Sequence, residues 1–217
     1  MKIVLAAATN FEIAPFRELL TANANEFNKH KIQTLITGVG LVNTTFALTS
    51  FLNIEQPDLI IQAGIGGSFE IQYPLASTWL INKEYFGDLG VQENNQFFDM
   101  FDKGFIHENE FPFSKNALKN IHLSTYNTIG FPSTTGISVN EISTAPIRIQ
   151  QLKDKYQPGI ESMEGAAFHF VALQKNIPFL QMRSVSNFVG ERNKEFWNIK
   201  EAILNLNISL QELISSL

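Results

Sequence analysis

The stretch Leu59-Ile60-Ile61-Gln62-Ala63-Gly64-Ile65-Gly66-Gly67-Ser68 joins a short apolar run to a cluster of glycines. A run of this kind is typical of a strand that is buried on both faces of an α/β sheet. Glycines at the carboxyl end of such a strand let backbone N–H groups approach a ligand, so we expect Gly64 and Gly66 at a binding site. A tight turn explains an isolated glycine cluster equally well, and without a third glycine this is not a dinucleotide fingerprint.

Similar apolar runs recur along the chain and alternate with helical patterns. The predicted strands are Ile3–Ala8, Ile32–Thr37, Leu59–Ala63, Thr78–Ile81 and Phe179–Val185. Apolar periodicity predicts helices over Ile13–Leu20, Val42–Leu52 and Ile199–Leu217. The alternation predicts an α/β fold: a single domain over residues 1–217, with three α/β/α layers and a central mixed, largely parallel sheet.

Residues Tyr85–Ser114 interrupt this alternation. They are rich in Phe, Asn, Asp, Glu and Gly, without sustained periodicity. Their large apolar side chains are Phe97, Phe98, Phe101, Phe105, Phe111 and Phe113. Long aperiodic segments inside compact domains are usually functional or interface segments. We expect some of these rings to pack at a subunit contact or over a neighbouring site, and the chain to form a homo-oligomer, a dimer or larger.

Composition limits the classes of partner. The formal net charge is −5 and the sequence contains no cluster of Lys and Arg, which argues against a nucleic-acid surface. The chain has no Cys, and its four His residues lack metal-ligand spacing, so we expect neither a metal nor a cofactor. No apolar run approaches the length of a membrane span, and the apolar amino terminus breaks at Thr9-Asn10, so we expect no membrane partner and a cytoplasmic protein.

The segment Gly159-Ile160-Glu161-Ser162-Met163-Glu164-Gly165-Ala166-Ala167 places a Met-Glu pair at the start of a predicted helix. There the helix dipole and free N–H groups favour an ionised carboxylate, which can accept both hydrogens of a vicinal diol such as that of ribose. We therefore expect Met163 and Glu164 to bind a nucleoside. An ordinary capping acid is the structural alternative for Glu164.

Two further polar positions follow predicted strands. Glu12 comes just after the first strand, where it either complements a helix dipole or accepts a proton from water as a general base. Ser186 and Asn187 follow the strand that begins at Phe179. An Asn side chain offers a donor and an acceptor to the edge of a heterocycle, although Asn is also common in turns after strands.

Taken together, these motifs resemble the nucleoside phosphorylase and nucleosidase superfamily over nearly the whole chain. The similarity is to its hydrolytic branch, which includes methylthioadenosine/S-adenosylhomocysteine nucleosidase. Within that branch, Ser186-Asn187-Phe188-Val189-Gly190-Glu191-Arg192-Asn193 with Trp197 looks most like the futalosine hydrolase family. The resemblance implies a nucleoside phosphorylase-like fold and hydrolysis of the N-glycosidic bond of futalosine, which releases hypoxanthine and dehypoxanthine futalosine in menaquinone biosynthesis.

The same resemblance implies roles for individual residues. Glu12 would activate water, Glu164 would hold the ribose hydroxyls, and Val139 and Asn140 would contact the purine. Trp197 would belong to an apolar wall that excludes water. The family reaction passes through a ribosyl cation resembling an oxocarbenium ion, which the negative charge of Glu164 would stabilise.

Asn187 is a departure, because methylthioadenosine nucleosidases carry an Asp at the matching place. An Asn cannot act as a general acid, but its amide can hydrogen-bond N7 or O6 of a 6-oxopurine. We therefore expect futalosine to be preferred over its 6-amino analogue. Arg192 is a partner for the benzoate of futalosine, because a guanidinium grips a carboxylate with two hydrogen bonds; the alternative is a surface arginine.

Several alternatives stay open. The chain is also compatible with a methylthioadenosine/S-adenosylhomocysteine nucleosidase or a 6-amino-6-deoxyfutalosine hydrolase. A phosphorolytic enzyme needs a phosphate cradle, but Thr9-Asn10-Phe11-Glu12 is acidic where phosphate needs positive charge. A non-catalytic purine-nucleoside-binding protein is the alternative from a different class.

Overall fold

The computed structural model describes residues 1–22, 27, 29–94 and 96–217. The strands are β1 (Lys2–Ala7), β2 (Lys31–Ile36), β3 (Leu59–Ser68), β4 (Thr78–Phe86), β5 (Gly90–Glu93), β6 (Gln96–Asp99), β7 (Leu118–Lys119), β8 (Ser133–Ser138), β9 (Ile160–Ser162) and β10 (Phe179–Phe188). The helices are α1 (Asn10–Ala22), α2 (Leu41–Leu52), α3 (Leu123–Tyr126), α4 (Pro146–Tyr156), α5 (Gly165–Gln174) and α6 (Ile199–Ser216), with a short 3-10 helix at Lys194–Phe196. The predicted α/β class is confirmed.

The strand β3 organises the sheet, because both of its edges are paired along most of its length. One edge runs parallel to β10. The other edge pairs in parallel with β1 over Leu59–Gln62 and antiparallel with β9 at Gly67 and Ser68. Since β10 pairs with β4, β4 with β8, and β8 with β9, these five strands close into a ring. The sheet is mixed, as predicted, but the sequence pattern did not predict that it closes.

Both faces of the open part of the sheet are buried, which explains the continuous apolar runs. In β1, Ile3 and Leu5 pack on one side with α1 and α6, while Val4 and Ala6 pack on the other with α2 and α5. Alternate side chains of a strand point to opposite faces, so every position of such a strand must be apolar. The predicted carboxyl-terminal helix is confirmed as α6, which buries one face against this core.

The structure extends or reorganises several predicted elements. The strand predicted to end at Ala63 continues to Ser68, so the glycine cluster belongs to the sheet and is not a turn. The segment Tyr85–Ser114, of which residue 95 lies outside the described residues, contains the antiparallel pair β5–β6. Within it, Phe113 packs on Phe86 and Phe101 at ring distances of 6.4 and 5.1 Å, whereas Phe105 and Phe111 are exposed.

No helix in the described part of the chain is long and apolar enough to cross a membrane.

Candidate active site

A cavity of about 280 Å³ lies at the carboxyl ends of β1, β3 and β10. This is the edge at which open α/β sheets bind ligands. Its walls come from the β1–α1 junction, the end of β3, the turn before α5 and the segment that follows β10. The lining residues are Ala8, Thr9, Phe11, Glu12, Val39, Ile65, Gly66, Gly67, Ile142, Glu161, Ser162, Met163, Glu164, Ser186, Asn187, Val189, Gly190, Glu191, Arg192 and Trp197.

Most of the predicted site residues meet at this cavity, and three do not. Those that line it are Glu12, Gly66, Met163, Glu164, Ser186, Asn187, Arg192 and Trp197. Gly64 lies behind the wall. Val139 is buried with its N–H donated to the carbonyl of Ser162, and the backbone N–H and side-chain amide of Asn140 are both bonded to Asp88. From that loop, Ile142 lines the cavity instead.

Glu12 lies in the first turn of α1, and its carboxylate is held from two sides. One oxygen accepts the N–H and the hydroxyl of Thr9, both at 2.9 Å, and the other accepts the N–H of Ile65 at 3.2 Å. Burial raises the pKa of Glu12 above its usual value, although the nearby charge of Arg183 and these hydrogen bonds oppose the shift. A carboxylate that is fixed in place with a raised pKa suits proton abstraction from water.

A residue of α6 fixes the backbone of Glu12. The sequence patterns predicted this helix but did not reveal its contact with Glu12. The side-chain amide of Asn207 donates to the carbonyl of Glu12 at 2.8 Å and accepts the N–H of Phe16 at 3.0 Å. It therefore bridges the two backbone groups that a regular helical turn would pair with each other. Asn207 interrupts the largely apolar face of this amphipathic helix, and that was the signal available in the sequence.

Glu164 is the N-cap residue of α5, as its position in the sequence suggested. The expectation that the N–H groups of its own helix hold its carboxylate is wrong, because the side chain makes no capping hydrogen bond. Its oxygens instead accept the N–H of Gly40, at 3.0 Å, and the guanidinium of Arg183, at 3.3 Å. The negative charge of Glu164 is therefore paired with Arg183, which is remote in sequence, and not with the N–H groups at the start of α5.

The guanidinium of Arg183 is buried and donates to four acceptors. Besides Glu164 it donates to Gln181 at 2.9 Å, to Gln62 at 3.0 Å and to the carbonyl of Ile65 at 3.3 Å. A Cβ atom on Gly64 would collide with this guanidinium and would lie 3.0 Å from the carboxylate of Glu12. The glycine therefore makes room for a buried cation between two carboxylates, which is a different role from ligand contact.

A third buried carboxyl group, that of Glu84, also lies near Arg183. Glu84 accepts hydrogen bonds from Gln181 at 2.9 Å and from Ser138 at 3.2 Å. Burial raises its pKa to about 7, although the Gln181 hydrogen bond and the charge of Arg183 oppose the shift. The side chain of His169 lies 3.0 Å from that of Gln181 and extends this hydrogen-bonded network. Burial lowers the pKa of His169 to about 3.

The same network holds the amino terminus of α5. The hydroxyls of Ser138 and Ser162 accept the N–H groups of Ala166 and Gly165, at 2.8 and 3.2 Å, and lie 3.3 Å from each other. Sequence reasoning missed this network, although a signal existed. Gln181 and Arg183 are polar residues inside an apolar strand, which in a folded protein must find buried partners.

Ser186 and Asn187 lie at a bulge in β10, where the pairing with β3 shifts by one residue. Bulges re-aim side chains at the ends of strands. The hydroxyl of Ser186 lies 2.8 Å from the amide oxygen of Asn187, whose NH₂ group donates to the carbonyl of Phe188 at 3.0 Å. The Asn187 amide thus lines the cavity in an orientation fixed by its neighbours.

Arg192 and Trp197 form the outer rim. The guanidinium of Arg192 lies 5.2 Å from the centre of the Trp197 ring, and the indole N–H donates to the carbonyl of Glu191 at 3.0 Å. Arg192 is exposed and lines the cavity, so a positive charge faces ligands at its mouth.

Comparison with known proteins finds similarity over nearly the whole chain. The Phosphorylase superfamily model matches residues 2–216. The futalosine hydrolase of Thermus thermophilus is 25% identical over 189 residues, which cover 83% of this chain and 80% of the relative. A 5′-methylthioadenosine/S-adenosylhomocysteine nucleosidase of Halalkalibacterium halodurans is 25% identical over 174 residues, 76% of this chain and 71% of the relative. The structure of futalosine hydrolase from Helicobacter pylori superposes with a TM-score of 0.79 at 17% identity, covering 100% of this chain and 98% of the other.

The buried Glu84 makes stability depend on pH in a predictable direction. Its folded-state pKa of about 7 lies above the ordinary value of 4.5, so the carboxyl must give up its proton against the cost of burial. The resulting loss of folding stability is absent below pH 4.5, grows as the pH rises from 4.5 to about 7, and is complete above that value. Glu84→Gln mimics the neutral acid and should gain roughly 3 kcal/mol over the wild type between pH 5 and pH 8. Urea unfolding of both proteins across this range measures the difference, and parallel pH curves would contradict it.

Proposed function

The chain belongs to the Phosphorylase superfamily, and from this membership we propose that it is an N-glycosyl hydrolase that cleaves futalosine into hypoxanthine and dehypoxanthine futalosine, in menaquinone biosynthesis. The observation that carries the proposal is that Glu12 and Glu164 line the same cavity and that both interact with the buried guanidinium of Arg183. The futalosine hydrolase and nucleosidase relatives support the reaction class.

In the proposed reaction, Glu12 takes a proton from water as that water attacks the anomeric carbon. Glu164 accepts hydrogen bonds from the ribose hydroxyls, and its negative charge stabilises the developing ribosyl cation. The amide of Asn187 hydrogen-bonds the departing 6-oxopurine. Met163 and Trp197 supply apolar surface at the cavity wall.

Hydrolysis is favoured over phosphorolysis by the charges at the cavity. Its acidic lining residues are Glu12, Glu161, Glu164 and Glu191. Arg183 already donates to four protein acceptors, and Arg17 is exposed and donates to Asn10. Among the described lining residues, Arg192 alone carries a positive charge, which suits one carboxylate better than a phosphate cradle.

Methylthioadenosine/S-adenosylhomocysteine nucleosidase is the second candidate function. The relative from Halalkalibacterium halodurans favours it, whereas Asn187 in place of an acid argues against it. Both candidates need the same water-activating carboxylate, so substrate comparison separates them.

The proposal is tested by incubating the purified protein without phosphate with futalosine, 6-amino-6-deoxyfutalosine and methylthioadenosine, and separating the released bases by liquid chromatography. We expect hypoxanthine from futalosine, and no dependence of its rate on added phosphate. Adenine from methylthioadenosine alone would assign the chain to the second candidate. Binding of purine nucleosides without release of any base would favour a non-catalytic binding protein.

Glu12→Gln should lower kcat by about a hundredfold or more, because the amide cannot accept a proton from water. Glu18→Gln, on the exposed side of the same helix, is the matched control and should keep wild-type kinetics. Because burial raises the pKa of Glu12, kcat/KM of the wild type should fall as the pH drops through a value above the ordinary 4.5. An active Glu12→Gln protein would remove Glu12 from the mechanism.

Arg192→Ala should raise KM for futalosine with little change in kcat, because the proposed contact is to the benzoate, away from the reacting bond. Arg192→Lys keeps the charge but loses the paired donors, so an intermediate KM is expected. Methylthioadenosine lacks the carboxylate and serves as the internal control for any residual turnover. Unchanged KM for futalosine would leave Arg192 as a surface residue.

We also propose a homo-oligomer, with α2 as its interface. Val42 and Phe46 lie one turn apart on this helix and are 78% and 74% exposed. The helix begins directly after Gly40, whose N–H holds Glu164, so a second copy on this face would lie beside the cavity. Large adjacent apolar side chains of this kind favour protein association.

Phe46→Asp should convert the oligomer to a monomer, because a carboxylate on this face opposes burial against a second copy. Ile71→Asp, at a position 86% exposed outside α2, is the matched control. Light scattering coupled to size exclusion gives the mass of each protein. A monomeric wild type, or an oligomer that persists in the Phe46 variant, would contradict this interface.

A further inference from the structure

Glu161 is a buried carboxyl group in the cavity wall that the proposed reaction leaves unused. It lies in the middle of β9, paired with Gly67 of β3 on one side and with Ile137 of β8 on the other. Its residue is 6% exposed, and it lines the same cavity as Glu12 and Glu164. Burial of a carboxyl group costs free energy of folding unless hydrogen bonds or an opposite charge compensate for it.

Within the described part of the chain, only one of the two carboxyl oxygens of Glu161 has a hydrogen-bond partner. One oxygen accepts the N–H of Ser143 at 3.1 Å. Among the described residues, none forms a hydrogen bond to the other oxygen, Oε2, which is itself buried. An unpaired acceptor in a low-dielectric wall is destabilising by an amount that a ligand donor would recover. The wall therefore contains an unused acceptor for an N–H group.

The charged residues around Glu161 do not give its Oε2 atom a hydrogen-bond partner. Burial raises the pKa of Glu161, hydrogen bonding from the side chain and the backbone N–H of Ser143 and the charge of Arg148 lower it, and the charge of Asp88 raises it. Arg148 donates to the carbonyl of Gly87, so it acts on Glu161 from a distance. A donor from within the cavity is the missing stabilising contact.

We propose that Oε2 of Glu161 accepts a ring N–H of the leaving base and thereby selects a 6-oxopurine over a 6-aminopurine. This inference rests on the proposed purine nucleosidase function and assigns its base selectivity to one residue.

The chemistry of the two bases supports this choice. A 6-oxopurine carries a hydrogen on N1, whereas N1 of a 6-aminopurine is a bare lone pair that a carboxylate repels. An ionised carboxylate can only accept hydrogen bonds, so Glu161 discriminates between these edges. The amide of Asn187 carries both a donor and an acceptor, so it does not by itself exclude either base. Selectivity therefore resides in Glu161 more than in Asn187.

The test compares the wild type with Glu161→Gln, in which an amide of the same shape can present either a donor or an acceptor. The ratio of kcat/KM for futalosine to that for 6-amino-6-deoxyfutalosine should fall by about ten- to a hundredfold in the variant. Calorimetry with free hypoxanthine and adenine should show the same loss of preference without any turnover. Glu141→Gln removes a nearby exposed carboxylate and should leave both ratios unchanged.

An unchanged ratio in a folded Glu161→Gln protein would overturn the inference, as would a wild type that prefers the 6-amino compound. If the wild type releases no base from any nucleoside, the proposed function fails, and the calorimetric comparison still decides whether Glu161 selects the base. Where thermal melting shows that the Gln variant does not fold, Glu161→Asp retains the charge but withdraws it by one methylene. That variant should bind hypoxanthine at least several-fold more weakly, and unchanged affinity would contradict the inference.

Discussion

The ion pair between Arg183 and Glu164 sets the conditions that the rest of this structure must meet. Both residues are almost completely removed from solvent, and the desolvation of two charges is recovered only when each remaining donor and acceptor is satisfied. The guanidinium also donates to Gln62, Gln181 and the carbonyl of Ile65, while the carboxylate also accepts the N–H of Gly40. Residues from four separate segments, β3, β10, the turn before α2 and the turn before α5, are thereby brought to one point.

Closure of the sheet makes this arrangement possible. In a flat sheet, apolar helices cover both faces of a central strand. Polar side chains on such a strand would then have no hydrogen-bond partners. Because β3, β10, β4, β8 and β9 form a ring, the polar groups of β4, β8 and β10 face one another inside it. The network ends at the first N–H groups of α5, directly beside the carboxylate that faces the cavity. Fixed dipoles of this kind need no reorganisation when charge develops in a bound substrate.

The parts of the fold that could be predicted are those governed by local periodicity. Continuous apolar strands and the amphipathic α6 follow from burial on one or two faces, and Glu12 and Glu164 were located because each follows a strand or precedes a helix. Ring closure could not be predicted, because it depends on strand pairs that are distant in sequence, such as β9 with β3. The roles of Gly64 and Arg183 were missed for the same reason. The absent side chain at position 64 has meaning only once the guanidinium from β10 is placed beside it.

Three buried carboxyl groups line one cavity, and the protein gives each of them a different environment. Glu164 has a guanidinium as its permanent neighbour, so it offers a fixed negative charge. Glu12 is buried with neutral donors nearest to it and a raised pKa, so it can exchange a proton with water. Glu161 keeps one oxygen without a hydrogen-bond partner among the described residues, and the proposed contact with a base rests on that oxygen. Carboxylates with equivalent surroundings would compete for the same proton, whereas these three differ enough to serve the separate tasks that we propose for them.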